Sequence, residues 1–141
     1  MEKMRKGAQD LQKRLLEVLI QAIPDCQSIY RFGSWGTDFE RSDSDIDLAF
    51  LPQTPLDSVY RWELAQKLAA IARRDVDLVD LLQASTVFRL QVVTTGLRLY
   101  AVDINKSEWF EDTVFSSYAR LNEERRGILD DVRQRGNVYG Q

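Results

Sequence analysis

The chain has 141 residues, 44% of them hydrophobic, one cysteine, no histidine and a formal net charge of −3. That length and apolar content can bury the core of one ordinary globular domain over residues 1–141, without disulfides or a structural metal. The absence of histidine excludes Ser-His-Asp and Cys-His nucleophile systems and the usual zinc sites, and the acidic balance argues against direct nucleic-acid binding, which relies on a basic surface.

In chain order, the opening Met-Glu-Lys-Met-Arg-Lys-Gly is charged rather than apolar, and no run approaches the length needed to span a bilayer. With Cys26 as the lone thiol, the expectation is a cytoplasmic protein with no membrane association. From about Glu2 to Ala22 the pattern is helical, with Leu11, Leu15, Leu16, Val18, Leu19 and Ile23 as an apolar stripe that Pro24 ends. Ser28 to Phe32 reads as a strand that delivers Gly33-Ser34, and the polar segment Trp35 to Asp43 has room for a short helical turn. Asp45 to Leu51 is a second strand, closed by Pro52.

Leu56 to Arg74 follows as a helix with Val59, Trp62, Leu64, Leu68 and Ile71 on or near one face. Asp75 to Leu81 alternates as a third strand, placing Asp75, Asp77 and Val79 on one face and Val76, Leu78 and Asp80 on the other. A helix from Ala84 to Thr95 ends at Gly96, and a strand from Leu97 to Val102 follows. Ser107 is expected to cap a long final helix reaching about Arg135, with Trp109, Phe110, Val114, Tyr118, Leu121, Ile128 and Val132 as its apolar positions. The tail from Gly136 is expected to be loose, and neither an internal repeat nor a linker divides the chain.

The chemistry concentrates in two places. Side chains alternate along a strand, so Asp45 and Asp47 share a face while Ile46, Leu48 and Phe50 point to the core. Two adjacent carboxylates repel, and a divalent cation such as Mg²⁺, bound by hard oxygen donors, relieves that repulsion. Gly33-Ser34 offers close backbone approach, N–H groups and a hydroxyl for phosphate oxygens. The pairing of a phosphate cradle with carboxylates points to metal-dependent nucleotide chemistry. Asp43, Asp45 and Asp47 also imitate the first ligands of a calcium loop, but Leu48 and Thr54 stand where that loop needs Gly and Glu. Asp77 is the preferred third carboxylate, with Asp75 as runner-up. Asp80, of opposite parity, is expected to be a solvated strand-end charge.

Gly33-Ser34, ten residues, then Asp45-Ile46-Asp47 resembles the signature of the nucleotidyltransferase superfamily that includes DNA polymerase β and the aminoglycoside nucleotidyltransferases. Nearly the whole chain is similar to the minimal nucleotidyltransferase (MNT) antitoxins paired with HEPN ribonuclease toxins. Val76-Asp77-Leu78-Val79 and the helical run from Tyr118 to Leu129 match features of that branch. The resemblance implies an α/β fold of mixed α+β type: a small mixed sheet flanked by helices, with a long C-terminal helix. It also implies that Asp45, Asp47 and Asp77 are catalytic and bind Mg²⁺, that Gly33 and Ser34 hold the triphosphate of ATP, and that AMP passes to a tyrosine of the toxin. The family's Gly four places after the motif serine is Asp38 here.

Size favours a protein acceptor, because a chain this short has little surface left to shape a small-molecule acceptor pocket once its core is built. The expected assembly is a hetero-oligomer with the toxin; Trp109, Phe110, Phe115 and Tyr118 are candidates for the contact, while for each taken alone, packing onto its own domain is the more common role. The alternatives are an antitoxin that masks the toxin without catalysis, and a small-molecule nucleotidyltransferase.

Overall fold

A computed structural model of the chain describes residues 4–134. Its elements run α1 (Lys6–Ala22), β1 (Ser28–Phe32), β2 (Ile46–Leu51), α2 (Ser58–Ala72), β3 (Val76–Asp80), α3 (Thr86–Thr95), β4 (Leu97–Ala101) and α4 (Ile104–Gln134). The four strands form one sheet in the order β3-β2-β1-β4. β1 pairs antiparallel with β2, from Ser28 opposite Leu51 to Phe32 opposite Asp47. β2 and β3 are parallel, as a crossover through a helix requires, and Asp47 stands level with Asp77. β4 closes the other side, antiparallel to β1.

Helices cover both faces of the sheet, so the two central strands read as near-continuous apolar runs rather than as alternating ones. On one face, Leu15 and Leu19 of α1 and Leu64 and Leu68 of α2 pack on Ile29, Leu48, Phe50 and Leu78. On the other, Val92 and Phe88 of α3 and Phe110 of α4 pack on Tyr30, Phe32, Ala49 and Leu51. Trp35 also enters the first core at 2% exposure, although its neighbours are polar, and the segment it opens forms turns rather than a helix. Val59 and Trp62 do not share the buried face of α2. Both are exposed, Trp62 at 62%, because that face is carried by Leu64 and Leu68, with Ala65, Ile71 and Ala72 beside them.

The final helix starts before Ser107. The carboxylate of Asp103 accepts the N–H of Asn105 at 3.0 Å, and its carbonyl accepts the N–H of Ser107. Ser107 is therefore inside the first turns and buried, its hydroxyl 2.5 Å from that of Ser28. One turn on, Glu111 accepts from the Tyr30 hydroxyl at 2.6 Å and pairs with Arg98 at 2.7 Å. The expected end of the helix at Arg135 and the tail beyond it lie outside the described residues, as do residues 1–3 at the start.

Candidate active site

The site forms at the end of the sheet where the central strand β1 runs out and β2 begins. Gly33 follows Phe32 with φ +75°, a left-handed conformation that glycine adopts without strain. A Cβ at this position would overlap Oδ2 of Asp47 and come within 3.0 Å of its Cγ. The Asp47 carboxylate thus lies flush against the Gly33 backbone. Ser34 carries its hydroxyl 3.1 Å from that of Ser44, and its carbonyl accepts both the N–H and the hydroxyl of Thr37, at 3.0 and 2.6 Å.

The linking segment is tied to itself. The N–H of Gly36 donates to Oε1 of Glu40 at 2.8 Å, the N–H of Arg41 donates to Oγ of Ser44 at 2.8 Å, and Arg74 reaches from the end of α2 to the Ser44 carbonyl at 3.1 Å. Asp38 is exposed and helps to line a polar cleft of about 260 Å³ between this loop and the start of α1. Behind the loop, the buried Arg31 donates to Oε1 of Gln12 at 2.7 Å, and Gly36 packs against its guanidinium. Sequence reading passed over Arg31, Ser44 and Arg74. Only the charge of Arg31 between core positions of a buried strand could have marked it.

Strand parity sets Asp45 and Asp47 on one side of β2, and the parallel register sets Asp77 level with Asp47. Asp45 is exposed and immediately precedes β2, Asp47 is half-buried, and Asp77 is exposed on β3 level with it. Burial pushes the Asp47 carboxyl up to about 6, and the charges of Asp77 and then Asp45 push in the same direction. Asp75 is also exposed, one step further out, and its carbonyl accepts the Ile46 N–H at 2.9 Å. Among the described residues no three acidic, cysteine or histidine side chains enclose an ion by themselves. This open edge of carboxylates suits Mg²⁺, which keeps several waters and completes its shell with substrate phosphates rather than with an all-protein cage.

Asp80 departs from expectation. It is 3% exposed, and its carboxylate accepts the N–H groups of Leu56 and Leu82 at 2.8 and 2.9 Å and the amide of Gln83 at 2.8 Å. It is a buried clasp between β3 and the segment leading into α2, because the backbone groups at both strand ends need an acceptor there. Of the aromatic residues on the last helix, Phe110 packs on the core, whereas Trp109 and Phe115 are exposed.

Comparison with known proteins identifies the family and similar chains. The polymerase beta nucleotidyltransferase family matches residues 13–105. The protein adenylyltransferase MntA of Shewanella oneidensis is 45% identical over 121 residues, 86% of either chain. A solved complex of tri-AMPylated Shewanella oneidensis HEPN toxin with MNT antitoxin contains a similar chain, 44% identical with a TM-score of 0.75, over 89% of this chain and 98% of that one. A toxin–antitoxin structure with AMP-PNP matches at 44% identity and a TM-score of 0.77, over 86% and 98%. Among the described residues no helix is long and apolar enough to cross a membrane.

Proposed function

Because the chain belongs to the polymerase beta nucleotidyltransferase family, we propose that it is an antitoxin that transfers AMP from ATP to a tyrosine of a cognate HEPN ribonuclease toxin and thereby inactivates it. The observation that carries this reading is the Asp47 carboxylate lying flush on Gly33 and level with Asp77. Phosphate cradle and carboxylates share one edge of the sheet, in a chain 45% identical to a protein adenylyltransferase.

In this reading the N–H groups at Gly33 and Ser34 and the Ser34 hydroxyl hold the triphosphate, with the loop braced by Arg74 and Glu40. The tyrosine oxygen bonds to the α-phosphorus as the bond to pyrophosphate breaks, and the phenolic proton passes to the Asp77 carboxylate. Asp45, Asp47 and Asp77 are the residues that would hold Mg²⁺, which when bound neutralises phosphate charge and aligns the attacking and leaving oxygens. The setting is a cytoplasmic complex with the toxin, without direct contact to nucleic acid.

The test is to incubate the chain with its cognate HEPN toxin, ATP and Mg²⁺, then separate the proteins. Mass increments of AMP on the toxin, with its ribonuclease still blocked after separation, are expected. An unmodified toxin that regains activity on separation, as mass action demands of a mask, would overturn the transferase reading.

A further inference from the structure

The last helix outruns the body it packs on. Ser107 meets Ser28 near one end of β1, and Glu111 meets Tyr30 two residues along the strand. Four helical residues rise about 6 Å and two strand residues about 6.6 Å, so α4 reaches the level of Phe32 and Asp47 near Phe115. Ser117, Tyr118, Leu121 and Asn122 are still half-buried, and from residue 123 to Gln134 the helix is exposed on every side, a segment of about 12 residues or roughly 18 Å that extends past the end of the sheet carrying Asp45, Asp47 and Asp77. The buried residues of α4 are Ser107 and Val114, both before that level.

The projecting part is not polar all round. At helical spacing, the face that Val114 buries continues through the half-buried Leu121 to Ile128 and Val132, with Arg125 between them and Leu129 beside them. Ile128 is 65% exposed, and Leu129 and Val132 are exposed as well. Val114 faces the body, so this stripe overlooks the space above the carboxylate edge. Three exposed aliphatic side chains, fully covered, remove on the order of 180–360 Å² from water, judged from their transfer energies. A stable interface takes about 800 Å² per partner. The stripe alone is thus too small to hold a second copy of the chain, and its occupant must also rest on the carboxylate edge, as an acceptor does while it is modified.

We infer that the projecting end of α4 is an arm that grips the toxin through Ile128, Leu129 and Val132 and holds the acceptor tyrosine over Asp47 and Asp77. This rests on the proposed transferase function for the identity of the occupant. It goes beyond that function in assigning the gripping surface to the distal stripe rather than to the aromatic residues nearer the start of the helix.

The test is the double variant Ile128→Glu/Val132→Glu, at exposed positions where helix-forming glutamates leave the core untouched. Toxin affinity and Mg²⁺-ATP affinity are measured by calorimetry, and AMP transfer is followed over a range of toxin concentrations. The expected result is toxin binding weakened about tenfold or more, unchanged ATP binding, and transfer that recovers at high toxin concentration, a KM effect rather than a kcat effect. Wild-type toxin affinity in the variant overturns the inference while leaving the transferase reading intact. If the unaltered chain binds toxin but transfers no AMP, and the variant still loses binding, the transferase reading falls and the arm stands. If the chain alone is a dimer that the variant dissociates, a second copy occupies the stripe and the inference is wrong.

Discussion

Asp47 and Asp77 stand level across the parallel pairing of β2 and β3, one half-buried and one exposed. Burial and the charges of Asp77 and Asp45 all push the Asp47 carboxyl upward, to about 6. The edge therefore carries unrelieved repulsion at neutral pH, and a cation or a proton relieves it. In the proposed function, protons and Mg²⁺ would compete for the same oxygens.

The first prediction follows from the sign of that shift. A carboxyl whose pKa is higher folded than unfolded binds its proton more tightly when folded. Its contribution makes the metal-free fold gain stability as pH falls from about 6 towards 4, and lose it as pH rises through that window. Asp47→Asn is expected to remove this slope and to raise metal-free stability near pH 7 by about 1–2 kcal/mol, allowing for solvent screening. Thermal melts in EDTA on both sides of the window check it, and identical pH slopes in the two proteins contradict it.

Gly33→Ala is expected to cost both fold and function. The methyl group would have to displace the Asp47 carboxylate, and φ +75° is strained for alanine. A loss of about 1–2 kcal/mol in stability is expected, with AMP transfer down on the order of 100-fold, since small misplacements at a reacting centre cost that much. Denaturant titration and single-turnover rates measure the two losses separately. A near-wild-type rate would show that the contact between Gly33 and Asp47 does not matter.

Asp80→Ala should act on stability alone. Removing the acceptor leaves the Leu56 and Leu82 N–H groups without their buried partner, at a cost of about 1–3 kcal/mol for each group left unsatisfied. Nucleotide affinity per folded molecule should not change. A lost ATP heat signal in a protein that melts normally would instead put Asp80 in the site.

The hydroxyl pair of Ser28 and Ser107 should show coupling. Ser107→Ala strands a buried hydroxyl and is expected to cost about 1–2 kcal/mol. Ser28→Ala/Ser107→Ala removes both partners and should cost less than the sum of the single variants. Strict additivity in urea titrations would mean that the pair contributes no interaction of its own.

The order of elements was legible because it rests on local pattern, as was the strand placement of the candidate site residues. Strand parity placed Asp45, Asp47 and Asp77 together, and Gly96 marked the end of α3. What escaped depended on contacts between segments distant in the chain. Ser107 looks like a helix cap until Ser28, from 79 positions earlier, is seen to bury it. Asp80 looks solvated until Leu56 turns its N–H inward. Trp35 lies in a polar run, and its place in the core is fixed by the sharp turns on either side, at Gly33 and Gly36. Apolar spacing put Val59 and Trp62 near the buried face of α2, but periodicity cannot tell an inner face from an outer one.

One consequence concerns solubility. The strand order leaves β3 at the margin of the sheet, where unpaired backbone groups invite another chain to add itself as a further strand. Asp77 and Asp75 are exposed on or beside that margin, and like charges on two approaching copies oppose such growth. The acidic character proposed to serve phosphate chemistry thus also opposes the pairing of two such margins. Neutralising Asp75 and Asp77 together should leave a protein that still folds but stays clear in solution over a narrower range of concentration.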